Sequence, residues 1–168
     1  MDVRDSVIVC GIDGSAAGQR AVEWAADEAE RRGSRLRVVT VWSWDGLESG
    51  SSISSPAEAR RRAGEIQSDS LNSLVARSLE LAIERQVLEG RPSEQICEAA
   101  LDADLIVLGS HGHGGFHDAL VGSTSLHVIR HAPCPVVLLP DPRRAEREHK
   151  RFEHRRHLTR PQGASPMF

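Results

Sequence analysis

The stretch that decides the fold is Asp104–Leu126, DLIVLGSHGHGGFHDALVGSTSL. Its first part, Leu105 to Leu108, is a short apolar run of the kind that forms a buried strand. A glycine-rich loop follows: Gly109, Ser110, His111, Gly112, His113, Gly114 and Gly115. After a short amphipathic turn, Gly122, Ser123, Thr124 and Ser125 open a helix that runs to His131. Glycine lets the backbone approach a ligand closely. A helix N-terminus offers unpaired N–H groups and a partial positive charge, which suit an anion. Two such elements, about two helical turns apart, match the two ends of a polyphosphate.

Outward from that stretch, apolar runs alternate with helical patterns. Ser6–Ile12 (SVIVCGI) reads as a strand ended by Asp13, Gly14 and Ser15. Ser15 is the expected N-cap of a helix over Ala16–Arg32, whose packing stripe is Ala21, Val22, Ala25, Ala26 and Ala29, with Trp24 at its edge and Gly33 as its stop. Arg35–Trp42 is a second strand, and Ser43–Ser55 a polar, Gly/Ser-rich loop. Pro56 starts a helix to about Ser78, with Ile66, Leu71, Leu74 and Val75 as its apolar positions. Leu79–Leu88 alternates imperfectly and can be read as helix or strand; its second half is assigned to the third strand because Gly90, Arg91 and Pro92 then supply a turn into another helix. A helix over Ser93–Ala103 buries Ile96, Cys97, Ala100 and Leu101. Beyond the glycine loop, the prolines around Cys134 block helix and launch a fifth strand, Val136–Leu139.

This alternation predicts an α/β fold: one domain holding a doubly wound, five-stranded parallel sheet in the order 3-2-1-4-5, with helices on both faces. The near absence of aromatics, 4% of residues, calls for an aliphatic core and suits strands buried on both sides. The domain should span residues 1–141, and 142–168 should form a solvated, charged extension. From Asp141 onward there are eight Lys+Arg and four Asp+Glu, a charge of +4, so a chain of net charge −3 leaves −7 on the body. A body that acidic argues against a broad nucleic-acid face. No apolar run approaches membrane-spanning length, and Asp2, Arg4 and Asp5 interrupt any apolar start; a cytoplasmic protein with no membrane partner is the expectation. Cys10, Cys97 and Cys134 match no metal or redox spacing and read as small core hydrophobes in a reducing compartment.

In a doubly wound sheet the ligand sits outside the strand carboxyl ends, where the connections reverse direction. Here that point lies between Asp13, after strand one, and Gly109, after strand four. An Asp after strand one repels phosphate. The local sequence GIDGS is not the dinucleotide fingerprint, and no P-loop occurs anywhere. The anion therefore belongs to the strand-four loop. Asp13 is left to accept hydrogen bonds from a sugar hydroxyl, to hold Mg²⁺, or simply to cap the first helix. The base would lie near Val41 and the Ser43–Ser55 loop, with Trp42 and Trp44 either bordering it or packing within the loop.

These residues resemble the universal stress protein family, and within it the ATP-binding branch. The family motif G-x2-G-x9-G-[ST] is met by Gly109, Gly112, Gly122 and Ser123. Its strand-one signature is met by Gly11, Asp13, Gly14 and Ser15, and PCPVVLLP (Pro133–Pro140) is similar to its last strand. The resemblance covers roughly residues 5–140. It implies an adenine nucleotide as cofactor: ATP, with or without Mg²⁺ at Asp13, or ADP or AMP. Ile12, Asp13 and Gly14 would lie on the ribose side and Val41 would meet the adenine. Gly109, Ser110, His111, Gly112, Gly115, Gly122, Ser123, Thr124 and Ser125 would surround the phosphates. It also implies a homodimer through Val136, Val137, Leu138 and Leu139, an unprotected sheet edge being prone to pairing.

His111, His113 and His117 cluster in the loop but lack a metal-ligand spacing; as polar phosphate-loop residues they fit better. The leading functional expectation is a nucleotide-dependent stress or signalling protein with an unknown protein partner and little or no catalysis. Two others stand beside it: a phosphotransfer enzyme using Asp13 as nucleophile, and a dimeric interaction module without nucleotide.

Overall fold

A computed structural model of the chain describes residues 6–44, 55–75, 81–112 and 121–141, together with 146 and 150. Nine elements alternate: β1 (Val7–Gly11), α1 (Ala16–Arg32), β2 (Arg35–Trp42), α2 (Pro56–Val75), β3 (Ile83–Glu89), α3 (Pro92–Ala99), β4 (Leu105–Gly109), α4 (Ser123–His131) and β5 (Val136–Leu139). All the strand pairings are parallel, in the order β3-β2-β1-β4-β5. The sequence-based fold class and strand order are therefore those of the molecule.

The period-2 rule of a strand sorts the core into two layers. Ile8 and Cys10 of β1, Leu36 and Val38 of β2, and Leu105 and Val107 of β4 pack with the alanine stripe of α1 and with Leu71 and Leu74 of α2. Val7 and Val9, Val39, and Ile106 and Leu108 point the other way, toward Ile96 and Ala100 and toward Val128 of α4. Because both faces are covered, β1 is buried at every position.

The helix ends follow local chemistry. Ser15 Oγ accepts the Gly18 N–H at 3.0 Å, and Gly33 closes α1 in the left-handed conformation, φ 64°. Ser55 Oγ accepts the Glu58 N–H at 3.2 Å ahead of Pro56, so an S-x-x-E start opens α2. The expected extension of α2 to Ser78 lies outside the described residues beyond Val75.

One helix differs from expectation. α3 was expected to reach Ala103 and to bury Leu101; it stops at Ala99, and Leu101 is 75% exposed. Tight i to i−3 bonds, Ala100 N–H to the Cys97 carbonyl and Leu101 N–H to that of Glu98, end the helix there. The turn that follows places Asp102 against Arg37. Arg37 is 9% exposed on β2, and its guanidinium donates to Asp102 Oδ1 at 2.5 Å, Glu84 Oε2 at 2.9 Å and the Ala99 carbonyl at 2.7 Å. A buried cation thus ties β2, β3 and the α3–β4 turn together, and Leu101 is turned outward.

The Arg37 guanidinium holds the Asp102 carboxyl below its ordinary range. At Glu84, partial burial pushes the carboxyl up, but hydrogen bonds from Arg37 and Gln86 outweigh it and leave a net lowering. Folded-state values below the unfolded ones stabilise the protein above the ordinary carboxylate range, near pH 4, and that stability is lost as pH falls through the folded values. Arg37→Met is expected to cost about 1–3 kcal/mol at pH 7, mainly by leaving the Ala99 carbonyl without its donor. It should also flatten the fall in urea midpoint between about pH 5 and pH 3. Urea denaturation of both proteins across that range checks the expectation.

Candidate functional site

The two turns that sequence reasoning brought together do meet. β1 and β4 are neighbours with Gly11 in register with Leu108, so their carboxyl ends open side by side where the connections reverse. A cavity of about 580 Å³ lies there, within the size range of small-molecule sites. Asp13 and Ser123 both line it. The link between the turns is direct: Ser15 Oγ, which caps α1, also donates to the His111 carbonyl at 3.4 Å.

Asp13 is held in place. Its Oδ1 accepts the Ser15 N–H at 3.0 Å. Its other oxygen faces Gly112, where a Cβ would come within 2.3 Å of Oδ2. On the opposite side, a Cβ at Gly18 would approach Oδ1 to 2.9 Å. Two glycines thus make room for this carboxylate, Gly18 in the first turn of α1 and Gly112 in the loop after β4. Gly14, between Asp13 and Ser15, bends the chain at φ 83°, a conformation that favours glycine.

The remaining motif glycines differ in what requires them. A Cβ at Gly109 would lie 2.8 Å from the Ala17 carbonyl carbon and 2.8 Å from the Gly18 nitrogen, so β4 ends in close contact with the start of α1. Gly122 is under no such constraint. Its φ of −68° and ψ of 158° suit any residue, and the nearest atom to a Cβ there is the Ser110 carbonyl oxygen at 3.4 Å. It stands at the N-cap of α4 with no side chain capping the helix. The N–H groups of the first turn have no acceptor within the helix itself, and this turn supplies Ser123, Thr124 and Ser125 to the cavity wall.

Hydrogen bonds fix the position of that helix end. The Gly122 N–H donates to the Ser110 carbonyl at 2.7 Å, and Ser125 Oγ to the Gly109 carbonyl at 2.8 Å. The Ser125 hydroxyl proton is therefore directed at β4, which leaves its backbone N–H rather than its side chain to face an anion as donor. Ser110 is buried beside the cavity: its N–H donates to the Leu139 carbonyl at 2.8 Å, and its Oγ lies 3.0 Å from His111 Nδ1.

Of the residues singled out from sequence, Ile12, Asp13, Val41, Gly109, His111, Gly112, Gly122, Ser123, Thr124 and Ser125 line the cavity. Gly14 and Ser110 shape it from outside the lining. Gly115, His113 and His117 lie outside the described residues, as do 45–54 of the loop after β2. Trp42 and Trp44 do not line the cavity; the Trp42 carbonyl accepts the Gly90 N–H at 2.9 Å, and Trp44 is 44% exposed. Sequence reasoning missed the apolar wall made by Val39, Pro92, Ile96, Leu108 and Val121. Ile96 had been assigned to a buried helix face, and nothing in a 3.6-residue period separates a side chain facing the sheet from one facing a cavity beside it.

The cavity wall combines apolar side chains, among them Val41 and Ile96, with the backbone amides and hydroxyls of the first turn of α4 and with the Asp13 carboxylate. Among the described residues no group of three or more His, Cys, Asp and Glu side chains comes together to hold a metal ion.

The chain is 34% identical over 135 residues to a universal stress protein of Mycolicibacterium smegmatis, covering 79% of this chain and 45% of that protein. It spans under half the length of such curated relatives. Among solved structures, the universal stress protein UspA from Lactobacillus plantarum superposes with a TM-score of 0.66 at 26% identity, covering 82% of this chain and 99% of that one. A universal stress protein crystallised in complex with cAMP superposes with a TM-score of 0.54 at 24% identity, covering 82% and 98%. The universal stress protein family profile matches residues 6–140, from the start of β1 to the end of β5. The chain belongs to the universal stress protein family.

Proposed function

We propose that this chain binds an adenine nucleotide in the crevice between β1 and β4, and that nucleotide occupancy sets its conformation or its choice of protein partner in a stress response. The observation that carries the proposal is Gly122. Neither its backbone angles nor a neighbouring protein atom demands glycine, yet it stands at the uncapped start of a helix that lines the cavity. A phosphate at that helix end gives both features a reason. The base is assigned to the apolar wall by Val41 and Ile96, and the ribose hydroxyls to Asp13, a carboxylate acceptor in the same cavity wall. The cAMP complex of a structural neighbour supports an adenine ring in a fold of this kind.

ATP is the nucleotide we favour, with Mg²⁺ bridging its phosphates to Asp13; ADP or AMP in the same place are the alternatives. Little or no catalysis is proposed. An Asp13 phosphotransferase is disfavoured because such chemistry needs a second acidic group close by for magnesium or proton transfer, and position 15 is Ser. A homodimer through Val136–Leu139 belongs to the same reading, since β5 is an edge strand whose four residues are each partly exposed. So does a cytoplasmic setting with no membrane partner: no helix among the described residues is long and apolar enough to cross a membrane.

Protein purified without added nucleotide should release an adenine nucleotide on acid extraction. Alternatively, if the site empties during purification, the protein should gain thermal stability at millimolar ATP, ADP or AMP. An empty extract together with an unchanged melting temperature would favour the interaction module that needs no nucleotide.

A further inference from the structure

We propose that His127 and His131 chelate a divalent transition-metal ion at the C-terminal end of α4. The two residues are one helical turn apart, the i, i+4 spacing that places side chains on the same face. Their rings stack with centroids 4.2 Å apart and planes inclined by 25°. An ion bonded to one nitrogen of each ring at about 2.0–2.1 Å needs those nitrogens within about 4 Å of each other. In the stack the ring lone pairs lie in two nearly parallel planes, so a chelate requires the His127 ring to turn about its Cβ–Cγ bond until one of its nitrogens converges with His131 Nε2 on a shared ion, a turn that side chains one helical turn apart can make.

The protonation pattern is also in place. His131 Nδ1 lies 2.9 Å from the His127 carbonyl. A carbonyl only accepts, so Nδ1 carries the proton and Nε2 keeps its lone pair for a metal. A backbone partner on the far nitrogen is the arrangement that orients metal-binding imidazoles generally. His131 is the last residue of α4, where the helix dipole places partial negative charge and favours a cation. His131 is exposed, so the ion can be reached from solvent.

His131 lies at the opposite end of α4 from the Ser123–Ser125 turn, roughly 9–12 Å away by helical rise, His127 lies about 3–6 Å along the axis from that turn, and neither lines the cavity. It is thus a second site, independent of the nucleotide reading. No third protein ligand joins it among the described residues, so water fills the remaining positions. Nitrogen ligands with open positions rank Cu²⁺ first among the common divalent ions, with Ni²⁺ and Zn²⁺ behind.

Titration of the full chain with CuCl₂, followed by paramagnetic broadening of backbone amide signals, tests the proposal. The signals of Leu126–Ala132 should broaden below one equivalent. His127→Gln and His131→Gln should each weaken Cu²⁺ binding at this position at least about tenfold, because either change turns a chelate into a single ligand. If the α4 signals persist beyond a full equivalent, or if either variant loses less than that factor, the proposal is overturned and the stack is a ring contact only.

Discussion

Gly122→Val should lower adenine-nucleotide affinity about a hundredfold while leaving the fold intact. The side chain would stand at the N-cap of α4, between an incoming phosphate and the N–H groups of Ser123 and Thr124. Hydrogen bonds to a charged acceptor are each worth about 1.5–3 kcal/mol, so losing two costs about two decades or more in affinity. Stability should hardly change: the backbone angles at Gly122 suit any residue, and the first atom a Cβ meets is at van der Waals distance. Exchanging glycine for valine at an N-cap costs less than about 1 kcal/mol. Calorimetric titration with ATP and AMP, paired with thermal melts of both proteins, separates the two effects. An unchanged affinity would mean that the start of α4 is not where the phosphate sits.

Gly109→Val should do the reverse, destabilising the domain by about 3 kcal/mol, the upper part of the range for overpacking a core. The added Cβ would lie 2.8 Å from backbone atoms of Ala17 and Gly18, and backbone in the first turn of a helix cannot swing aside as a side-chain end can. β4 would have to withdraw from α1, opening the central contact between β1 and β4. The urea midpoint should fall accordingly, and a fall of under about 1 kcal/mol would show that this contact is loose. The two substitutions differ because the motif glycines are under different constraints: Gly109 lets two elements meet, whereas no protein atom and no backbone angle requires glycine at 122.

That division of labour was invisible in the sequence, where Gly109, Gly112 and Gly122 are equal members of one spacing. The fold was legible because each signal was local. Ser15 and Gly33 bracket α1, short apolar runs mark β1, β4 and β5, the prolines flanking Cys134 forbid helix before β5, and the ambiguous IERQVLE of β3 was placed by the turn at Gly90, Arg91 and Pro92. The convergence of Asp13 with Gly112 followed from strand order alone. What escaped depended on contacts far apart in sequence. Leu101 looked like part of a helical stripe, but the helix ends at Ala99, and the turn that follows sets Asp102 against Arg37, 65 residues away, and leaves Leu101 exposed. Trp42 and Trp44 stood equally as partners for a base or as loop packing because they sit at the end of strand two, and the cavity wall instead takes Val39 and Val41 from β2 and Pro92 and Ile96 from α3.

The central claim is that one crevice, built by the ends of β1 and β4 and the start of α4, receives the nucleotide. Backbone amide shifts recorded during titration of the full chain with ATP test it most directly. The account predicts that the largest shifts fall together on Ile12–Asp13, Gly109–Gly112 and Gly122–Ser125. No shift at millimolar ATP, or shifts confined to residues away from these three segments, would contradict it.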